Sequence, residues 1–265
     1  MKKIIAILLA LVMTMGAVFT MASCQKEDDV LVCGVTVIPG LNEKDSNDNW
    51  TGFETEFAQA VGEELGMKVE FKEIKWANKY VELNSGKIDC IWNGFTADAS
   101  EKDGTKRGDL VDFSYGYMTN RQCVVVKREK LDDYTSAESL AGKVIAVETG
   151  SAGESYAKSV NASDIVGVNA QIDAFLQLNT GKVDCLVVDV VLALNMCGKA
   201  DYADLAIVDA IELESETYAV GFKKGSELTA KVNDAIKKLE ENGKLMEIAE
   251  RYNFTDIIKV SELAD

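Results

Sequence analysis

The chain has 265 residues, and its 44 acidic against 28 basic side chains give a formal net charge of -16. A surface this acidic repels phosphates, which excludes nucleic acids as partners. The sequence contains no histidine, which excludes catalysis by Ser-His-Asp or Cys-His groups.

The N-terminus has the pattern of an export signal. Lys2 and Lys3 precede an apolar run over residues 4–12, and small residues lie just before Cys24. Residues 1–23 are therefore predicted to be a signal peptide that is absent from the mature protein. Because this segment carries two lysines and no acid, its removal takes the formal net charge from -16 to -18.

Cys24 ends the order Met21-Ala22-Ser23-Cys24, which resembles the lipobox of bacterial lipoproteins. The resemblance implies that this thiol receives diacylglycerol and that the cysteine becomes the new N-terminus; an ordinary secretory signal with a chance cysteine is the alternative. Residues 24–30 would then be the lipid anchor and a polar tether. Since no other segment approaches the roughly 20 apolar residues of a transmembrane helix, we expect a monomer held by lipid at the outer face of the cell membrane, on its extracellular or periplasmic side.

Short apolar runs, typical of buried parallel strands, alternate with amphipathic stretches along the rest of the chain. The predicted strands cover residues 31–35, 69–71, 90–92, 123–126, 144–147 and 185–188. Apolar residues recur every four positions over 53–65 and 228–239, which predicts two helices, the second ending before Gly243. The alternation predicts an α/β fold with crossover helices.

A near-repeat of eight residues indicates two similar halves. Leu-Asn-Ser-Gly-Lys-Ile-Asp-Cys over residues 83–90 returns as Leu-Asn-Thr-Gly-Lys-Val-Asp-Cys over residues 178–185. In each copy a helix is predicted to end at a glycine free to take a positive φ, after which the chain enters a buried strand.

The repeat also indicates which polar residues lie at the start of a strand and which lie just after its end. Asp89 and Asp184 stand where the strands begin, whereas open α/β sheets bind ligands beyond the strands' carboxyl ends. A structural role is therefore favoured for this pair over a catalytic one. The side chains just after the strands, in 93–96 and at Asp189, are the candidates for ligand binding.

Six cysteines are present, and assigning Cys24 to lipid leaves an odd number that cannot pair completely. The remaining five lie mostly in apolar runs, no C-x-x-C spacing occurs, and histidine is absent. We interpret them as small buried hydrophobic residues rather than a disulfide framework or a metal site, and we expect no cofactor. The five are Cys33, Cys90, Cys123, Cys185 and Cys197.

From about residue 31 to residue 252, an ordered set of motifs resembles the amino-acid-binding receptors of ABC importers, the bacterial extracellular solute-binding proteins of family 3. The resemblance implies the type II periplasmic-binding fold, with two α/β lobes joined by two crossing strands near 121–126 and 218–221. Lobe 1 would comprise 31–120 plus 217–265, and lobe 2 would comprise 121–216. The motifs are Trp50-Thr51-Gly52-Phe53-Glu54, Gly86-Lys87-Ile88-Asp89, Gly94-Phe95-Thr96, Arg107 with Val111-Asp112-Phe113-Ser114 and Tyr117, Leu140-Ala141-Gly142-Lys143, Glu148-Thr149-Gly150-Ser151, and Gly181-Lys182-Val183-Asp184 through Asp189.

The resemblance also implies a function: hinge closure of the lobes around a free amino acid, which is then delivered to a membrane permease with its ATPase. Arg107 resembles the arginine that forks onto the ligand α-carboxylate. Asp189 resembles the acid that pairs with the α-ammonium, helped by the carbonyl of Gly94. From pattern alone, Asp189 could equally be a helix N-cap and Arg107 a solvated charge.

Further ligand contacts are implied on both lobes. The hydroxyl of Thr96 and backbone amides near Thr96, Ser151 and Ala152 would donate hydrogen bonds, although Thr96 could instead cap a turn. Trp76 resembles the family's aromatic wall, while Trp92, within a predicted strand, is as well explained by the core. Glu43 could select a cationic side chain, against the default of an exposed loop glutamate.

Three features depart from the family pattern. The loop over 97–106 is longer than usual, which makes Lys102 and Lys106 rivals of Arg107. Ala152 replaces a frequent hydroxyl residue, and the segment 36–43 lacks an aromatic side chain.

Two other functions stay open at this stage. One is a dehydratase on the same fold, for which the sequence shows no acid-base constellation. The other is a sensor lipoprotein whose closed form docks on a signalling receptor. No motif identifies the amino acid, because side-chain selection depends on pocket shape.

Overall fold

The structure, a computed structural model, describes residues 30–263. The predicted signal peptide, residues 1–23, and the predicted lipidation site, Cys24, lie outside the described residues. Within the described part of the chain, no helix is both long and apolar enough to cross a membrane.

Strands and helices alternate along the chain, as the sequence predicts. The strands are β1 (Val30–Val35), β2 (Glu43–Lys44), β3 (Trp50–Thr51), β4 (Lys68–Glu73), β5 (Cys90–Ile91), β6 (Asp112–Lys127), β7 (Val144–Glu148), β8 (Asp164–Val168), β9 (Cys185–Asp189), β10 (Leu205–Ile207), β11 (Ser215–Phe222) and β12 (Ile258–Ser261). The helices are α1 (Phe53–Leu65), α2 (Lys79–Asn84), α3 (Arg107–Leu110), α4 (Ala152–Ser159), α5 (Gln171–Asn179), α6 (Val190–Met196), α7 (Glu227–Glu241) and α8 (Lys244–Arg251). Short 3-10 turns cover Trp76–Asn78, Arg128–Asp133, Ala137–Leu140, Ala200–Tyr202 and Thr255–Ile257.

Two groups of parallel strands flank a long antiparallel pair. The sheet order is β4-β1-β5-β11-β6-β9-β7-β8, with β10 and β12 also pairing with β6. β1 runs parallel to β5, β7 runs parallel to β8 and β9, and β6 and β11 are antiparallel to each other. The α/β class with crossover helices is confirmed. From Leu31 onwards the chain forms one compact unit, and the division into lobes at 120 and 216 stays a prediction.

Both copies of the repeat fold in the same way. Gly86 has φ 72 and Gly181 has φ 71, so each ends its helix in the left-handed conformation that glycine adopts most readily. The next amide in each copy donates to a carbonyl five residues earlier, Lys87 to Glu82 and Lys182 to Gln177. The predicted helix-turn-strand unit is confirmed in both halves.

The repeated aspartates fasten neighbouring strands. Asp89 Oδ2 accepts a hydrogen bond from the amide of Val32 at 2.8 Å, and Asp184 Oδ2 accepts one from the amide of Val144 at 2.8 Å. Each carboxylate thus ties the start of one strand to the start of the next. Their predicted structural role is confirmed.

The interpretation of the cysteines as buried hydrophobic residues is confirmed for four of the five that the structure describes. Cys33, Cys90, Cys123 and Cys185 are buried, Cys197 is half-buried, and all five are free thiols. Burial raises the pKa of Cys185 to about 12, which keeps this thiol protonated and inert.

The sequence prediction missed the length of β6. The prediction covers residues 121–126, whereas the strand has 16 residues from Asp112 to Lys127. Polar side chains interrupt its first half, which therefore lacks the continuous apolar run of a buried strand. Trp92 is buried just beyond β5, and its ring packs edge-on against Phe57 at 5.4 Å, which supports the core interpretation of this tryptophan.

Candidate functional site

Most of the predicted ligand residues lie at or just after the ends of β5, β7 and β9. The central strands β6 and β11 contact two of these segments. Thr96 forms an isolated bridge with Tyr218 of β11. Asp189, at the end of β9, is in register with Gln122 of β6. The central antiparallel pair therefore connects the two sets of candidate residues.

The longer loop before Arg107 closes on itself. Ser100 and Lys106 form an antiparallel bridge, and the Arg107 amide donates to the Ala99 carbonyl at 3.2 Å. The additional residues thus form a small hairpin, after which α3 begins at Arg107. Lys102 and Lys106 are exposed, whereas Arg107 is only 1% exposed.

Arg107 donates three hydrogen bonds from its buried position. Nη1 reaches the carbonyl of Thr96 at 3.0 Å, Nη2 reaches the carbonyl of Gly150 at 3.3 Å, and Nε reaches Glu101 Oε1 at 3.1 Å. The guanidinium also lies over the ring of Phe95, at 5.0 Å from its centroid. The interpretation of Arg107 as a solvated charge is wrong.

Lys79 is a second buried cation, which the sequence analysis missed. It is 1% exposed, and its Nζ donates to the Gly150 carbonyl at 3.1 Å and lies 3.3 Å from Glu101 Oε1. Burial and the charge of Arg107 lower the pKa of Lys79 to about 8. Although burial opposes it, the charges of Lys79 and Arg107 hold the pKa of Glu101 below its ordinary value.

Trp76 lies beside these cations. Its ring is 4% exposed and meets Phe95 edge-on, with ring centroids 5.4 Å apart. Lys79 Nζ lies 5.1 Å from the centre of the same ring. The aromatic wall predicted for Trp76 stays a prediction, and its position next to the cations is compatible with it.

Asp189 occupies the N-cap position of α6, but its side chain makes no capping bond. Instead Oδ1 accepts from Asn120 Nδ2 at 2.9 Å and from Gln122 Nε2 at 2.5 Å, and Oδ2 accepts from Gln171 Nε2. The interpretation of this side chain as a helix cap is therefore wrong. Burial raises the pKa of Asp189, against the effect of its amide donors.

Glu216 of β11 connects the surroundings of Arg107 with those of Asp189. Its Oε2 accepts from Thr96 Oγ1 at 3.2 Å and from Asn120 Nδ2 and Gln122 Nε2 at 3.0 Å each. Because the same two amides donate to Asp189, one chain of hydrogen bonds runs from Arg107 through Thr96 and Glu216 to Asp189. Burial and the charge of Asp189 raise the pKa of Glu216 to about 7.

Glu148 is the last residue of β7 and lies near charged groups of the site. It is 2% exposed, and its electrostatic neighbours are Asp189, Lys79 and Arg107. Burial raises its pKa well above the ordinary value. Its Oε1 has no hydrogen-bond partner among residues 30–263.

The remaining predicted residues differ in what they leave free for a ligand. Ser151 accepts from the Glu154 amide at 3.1 Å as the N-cap of α4, and its own amide donates to the Glu148 carbonyl at 3.1 Å. Ala152 begins α4, so its amide has no partner within the helix. Gly94 has φ 53, and its amide donates to Glu54 Oε1 at 2.8 Å. The ligand contacts predicted for these residues stay predictions.

Sequence reasoning missed most of the polar residues that surround Arg107 and Asp189, because Lys, Glu, Asn and Gln side chains are usually exposed to solvent. A usable signal existed for Glu148, which directly follows a predicted strand, as the other candidates do. Asn120, Gln122 and Glu216 gave no such signal, because they lie in the parts of β6 and β11 for which the sequence shows no continuous apolar run. The missed residues are Lys79, Glu101, Asn120, Gln122, Glu148, Gln171 and Glu216.

Comparison with known proteins gives a consistent picture. The family described as bacterial extracellular solute-binding proteins, family 3, matches residues 31–256. The L-cystine-binding protein TcyA of Bacillus subtilis (strain 168) is 30% identical over 237 residues, which cover 88% of this chain and 85% of that protein.

Solved structures agree with the sequence matches. An ancestral arginine-binding protein bound to arginine superposes with a TM-score of 0.78 at 31% identity, covering 86% of this chain and 99% of that one. The ancestral amino acid-binding protein AncCDT-1, a precursor of cyclohexadienyl dehydratase, superposes with a TM-score of 0.74 at 28% identity, covering 84% and 95%.

Proposed function

Because the chain belongs to family 3 of the bacterial extracellular solute-binding proteins, with their type II periplasmic-binding fold, we propose that it captures a free amino acid and delivers it to the membrane permease and ATPase of an ABC importer. The observation that carries the proposal is the pair of buried opposite charges, Arg107 and Asp189, joined by one chain of hydrogen bonds. An amino acid zwitterion has the complementary charges at its two ends.

Arg107 retains the donors that a carboxylate requires. Each of its two terminal nitrogens carries two hydrogens, and the bonds to Thr96 and Gly150 use one hydrogen from each. One hydrogen on each terminal nitrogen is left, and we propose that the two oxygens of the ligand carboxylate accept them. Glu101 contacts Nε alone, so it leaves this pair to the ligand.

Asp189 is the proposed partner of the α-ammonium. Amide donors hold its carboxylate in one orientation, and an arriving ammonium would offset the cost of its burial. The carbonyl of Gly94 and the Ala152 amide are proposed as additional contacts, with Trp76 beside the side chain of the ligand.

Closure of two lobes around the ligand is proposed as the working motion. Gly150, in the predicted lobe 2, accepts hydrogen bonds from Lys79 and Arg107 of the predicted lobe 1. Ser155 Oγ similarly donates to the carbonyl of Ser100 at 3.3 Å. These contacts support a closed arrangement in which the segments carrying the two poles meet.

We further propose that the protein is held by lipid on Cys24 at the outer face of the membrane and that it performs no chemistry on its ligand. The second point separates it from a dehydratase on this fold. Incubating the protein with its ligand and recovering only unchanged ligand by mass spectrometry would support a receptor; a converted product would contradict it.

Binding measurements on residue variants test the proposed receptor directly. Removing one partner of a buried charge pair costs about 2 to 5 kcal/mol, so Arg107→Ala and Asp189→Ala should each weaken amino acid binding about thirtyfold or more. The exposed Lys102→Ala is the matched control and should bind as the parent does. Calorimetry with the common amino acids gives the affinities, and unchanged affinity in Arg107→Ala would refute the assignment.

A further inference from the structure

The candidate site contains more carboxyl groups than an α-ammonium requires. Two cations, Lys79 and Arg107, stand among four carboxyl side chains on separate segments of the chain. The four carboxyl side chains belong to Glu101, Glu148, Asp189 and Glu216. If all of them are ionised, the site has a net charge of two negative units before a ligand enters.

The proposed contacts of the zwitterion do not remove this excess. Lys79 and Glu101 pair with each other at 3.3 Å, and the zwitterion brings one charge of each sign to Arg107 and Asp189. Within residues 30–263, neither Glu148 nor Glu216 forms a salt bridge, although Lys79 and Arg107 act on Glu148 electrostatically. Glu216 is held by neutral donors only, which are Thr96, Asn120 and Gln122.

Unpaired acceptors mark the same region. Glu148 Oε1 and Asn120 Oδ1 are buried, and neither has a hydrogen-bond partner within residues 30–263. Asn120 Oδ1 can only accept hydrogen bonds, and so can Glu148 Oε1 while that carboxyl group is ionised. A buried acceptor without a donor costs free energy, and Asn120 already donates to Asp189 and Glu216. While these carboxyl groups are ionised, the site requires additional donors, and a group with positive charge both supplies them and favours the ionised form.

We propose that the captured amino acid has a positively charged side chain and that Glu216 and Glu148 select it. This inference rests on the proposed function, since it names the class of ligand for the same site. An ammonium or guanidinium side chain would supply both the missing charge and the missing donors. An acidic side chain would add a carboxylate to a site that already has too many, so the arrangement also rejects the wrong class of ligand.

The structure separates these residues from the candidate that sequence analysis suggested for a cationic side chain. Glu43 is half-buried in the separate two-stranded β2–β3 sheet, whereas Glu148 and Glu216 belong to β7 and β11 of the large sheet. Selection by Glu216 and Glu148 therefore predicts that Glu43→Gln leaves ligand preference unchanged.

Matched ligand pairs test the charge requirement. Arginine and citrulline have nearly the same shape but differ in side-chain charge, as do lysine and norleucine. We expect the parent to bind the cationic member of each pair about tenfold or more tightly. In Glu216→Gln and in Glu148→Gln this preference, measured as the ratio of the two affinities, should decrease about tenfold. Glu214→Gln, an exposed acid on the same segment, should retain the preference.

The outcomes separate the inference from the proposed function. Tight binding of neutral or acidic amino acids, or of cystine, without preference for a cationic side chain would overturn the inference and leave the proposed function standing. A preference that survives both substitutions would also overturn it. If the parent binds no amino acid, both fall. Thermal unfolding of each variant shows whether it folds, and two independent positions keep the test decisive when one variant does not.

Discussion

Replacing Glu216 with glutamine should stabilise the ligand-free protein, by an amount that depends on pH. Burial and Asp189 raise the pKa of Glu216 from the ordinary 4.5 to about 7. Between these values the folded protein binds a proton that the unfolded chain has released, so the free energy of unfolding falls as the pH rises. The difference of about 2.5 pH units corresponds to about 3 kcal/mol. Glutamine keeps the shape of the side chain and removes the ionisation.

The expected result is a difference between variant and parent that grows with pH. Near pH 4.5 Glu216→Gln and the parent should have similar free energies of unfolding, and at pH 8 the variant should be more stable by up to about 3 kcal/mol. Subtracting the parent cancels the buried carboxyl groups that do not interact with Glu216, such as Glu54, whose pKa burial raises to about 7; the repulsion between Glu216 and Asp189 is part of the measured difference. The groups that face Glu216 are Asp189, Thr96, Asn120, Gln122 and Tyr218, and all of them stay in place.

Urea unfolding at a series of pH values, on protein freed of ligand by unfolding and refolding, provides the measurement. Glu214→Gln is the control, because this exposed side chain should change the free energy of unfolding by no more than about 0.5 kcal/mol. A difference for Glu216→Gln that stays constant from pH 5 to pH 8 would refute the assignment of a half-buried carboxyl group with a raised pKa at this position.

Two further predictions concern the scaffold. Gly94→Ala should destabilise the fold and weaken ligand binding, because a Cβ there would lie 3.1 Å from the ring of Tyr218; Gly66→Ala, with a similar positive φ but nothing within 4 Å, is the control, and urea unfolding should show a larger loss for Gly94. Asp89→Ala and Asp184→Ala should each lower the free energy of unfolding by about 1 to 3 kcal/mol, with ligand affinity unchanged. A loss of binding without a loss of stability would contradict the role of these aspartates in connecting neighbouring strands.

Local patterns were sufficient to predict the scaffold. The repeated glycine turn, the buried strands and the amphipathic helices each depend on neighbours in sequence, and the structure contains all of them. β6 was underestimated because its polar residues are buried by β9, β11 and β12, which are distant in sequence. No short window of the chain contains that information.

The candidate site was predictable only where position along a strand indicated it. Arg107 and Asp189 follow strand ends in the order of a known family, and the structure buries both. Lys79 lies in a short helix of ordinary surface composition, and Glu216 precedes the apolar part of β11. Lys79 is buried and Glu216 half-buried through contacts with Gly150, Gln122 and other residues that are distant in sequence. Such charges cannot be distinguished from solvated ones by composition.

The buried carboxyl groups connect ligand affinity with the stability of the empty receptor. Each ionised group raises the free energy of the folded, ligand-free state, because burial removes water from the carboxylate without supplying a cation. A cationic ligand relieves that cost when it binds, so part of its affinity comes from correcting a destabilised site. Glu101 shows the opposite arrangement, since Lys79 and Arg107 already compensate it. The distribution of paired and unpaired carboxylates therefore favours a ligand that adds positive charge near Glu216 and Glu148, while Lys79 and Arg107 stay paired with Glu101.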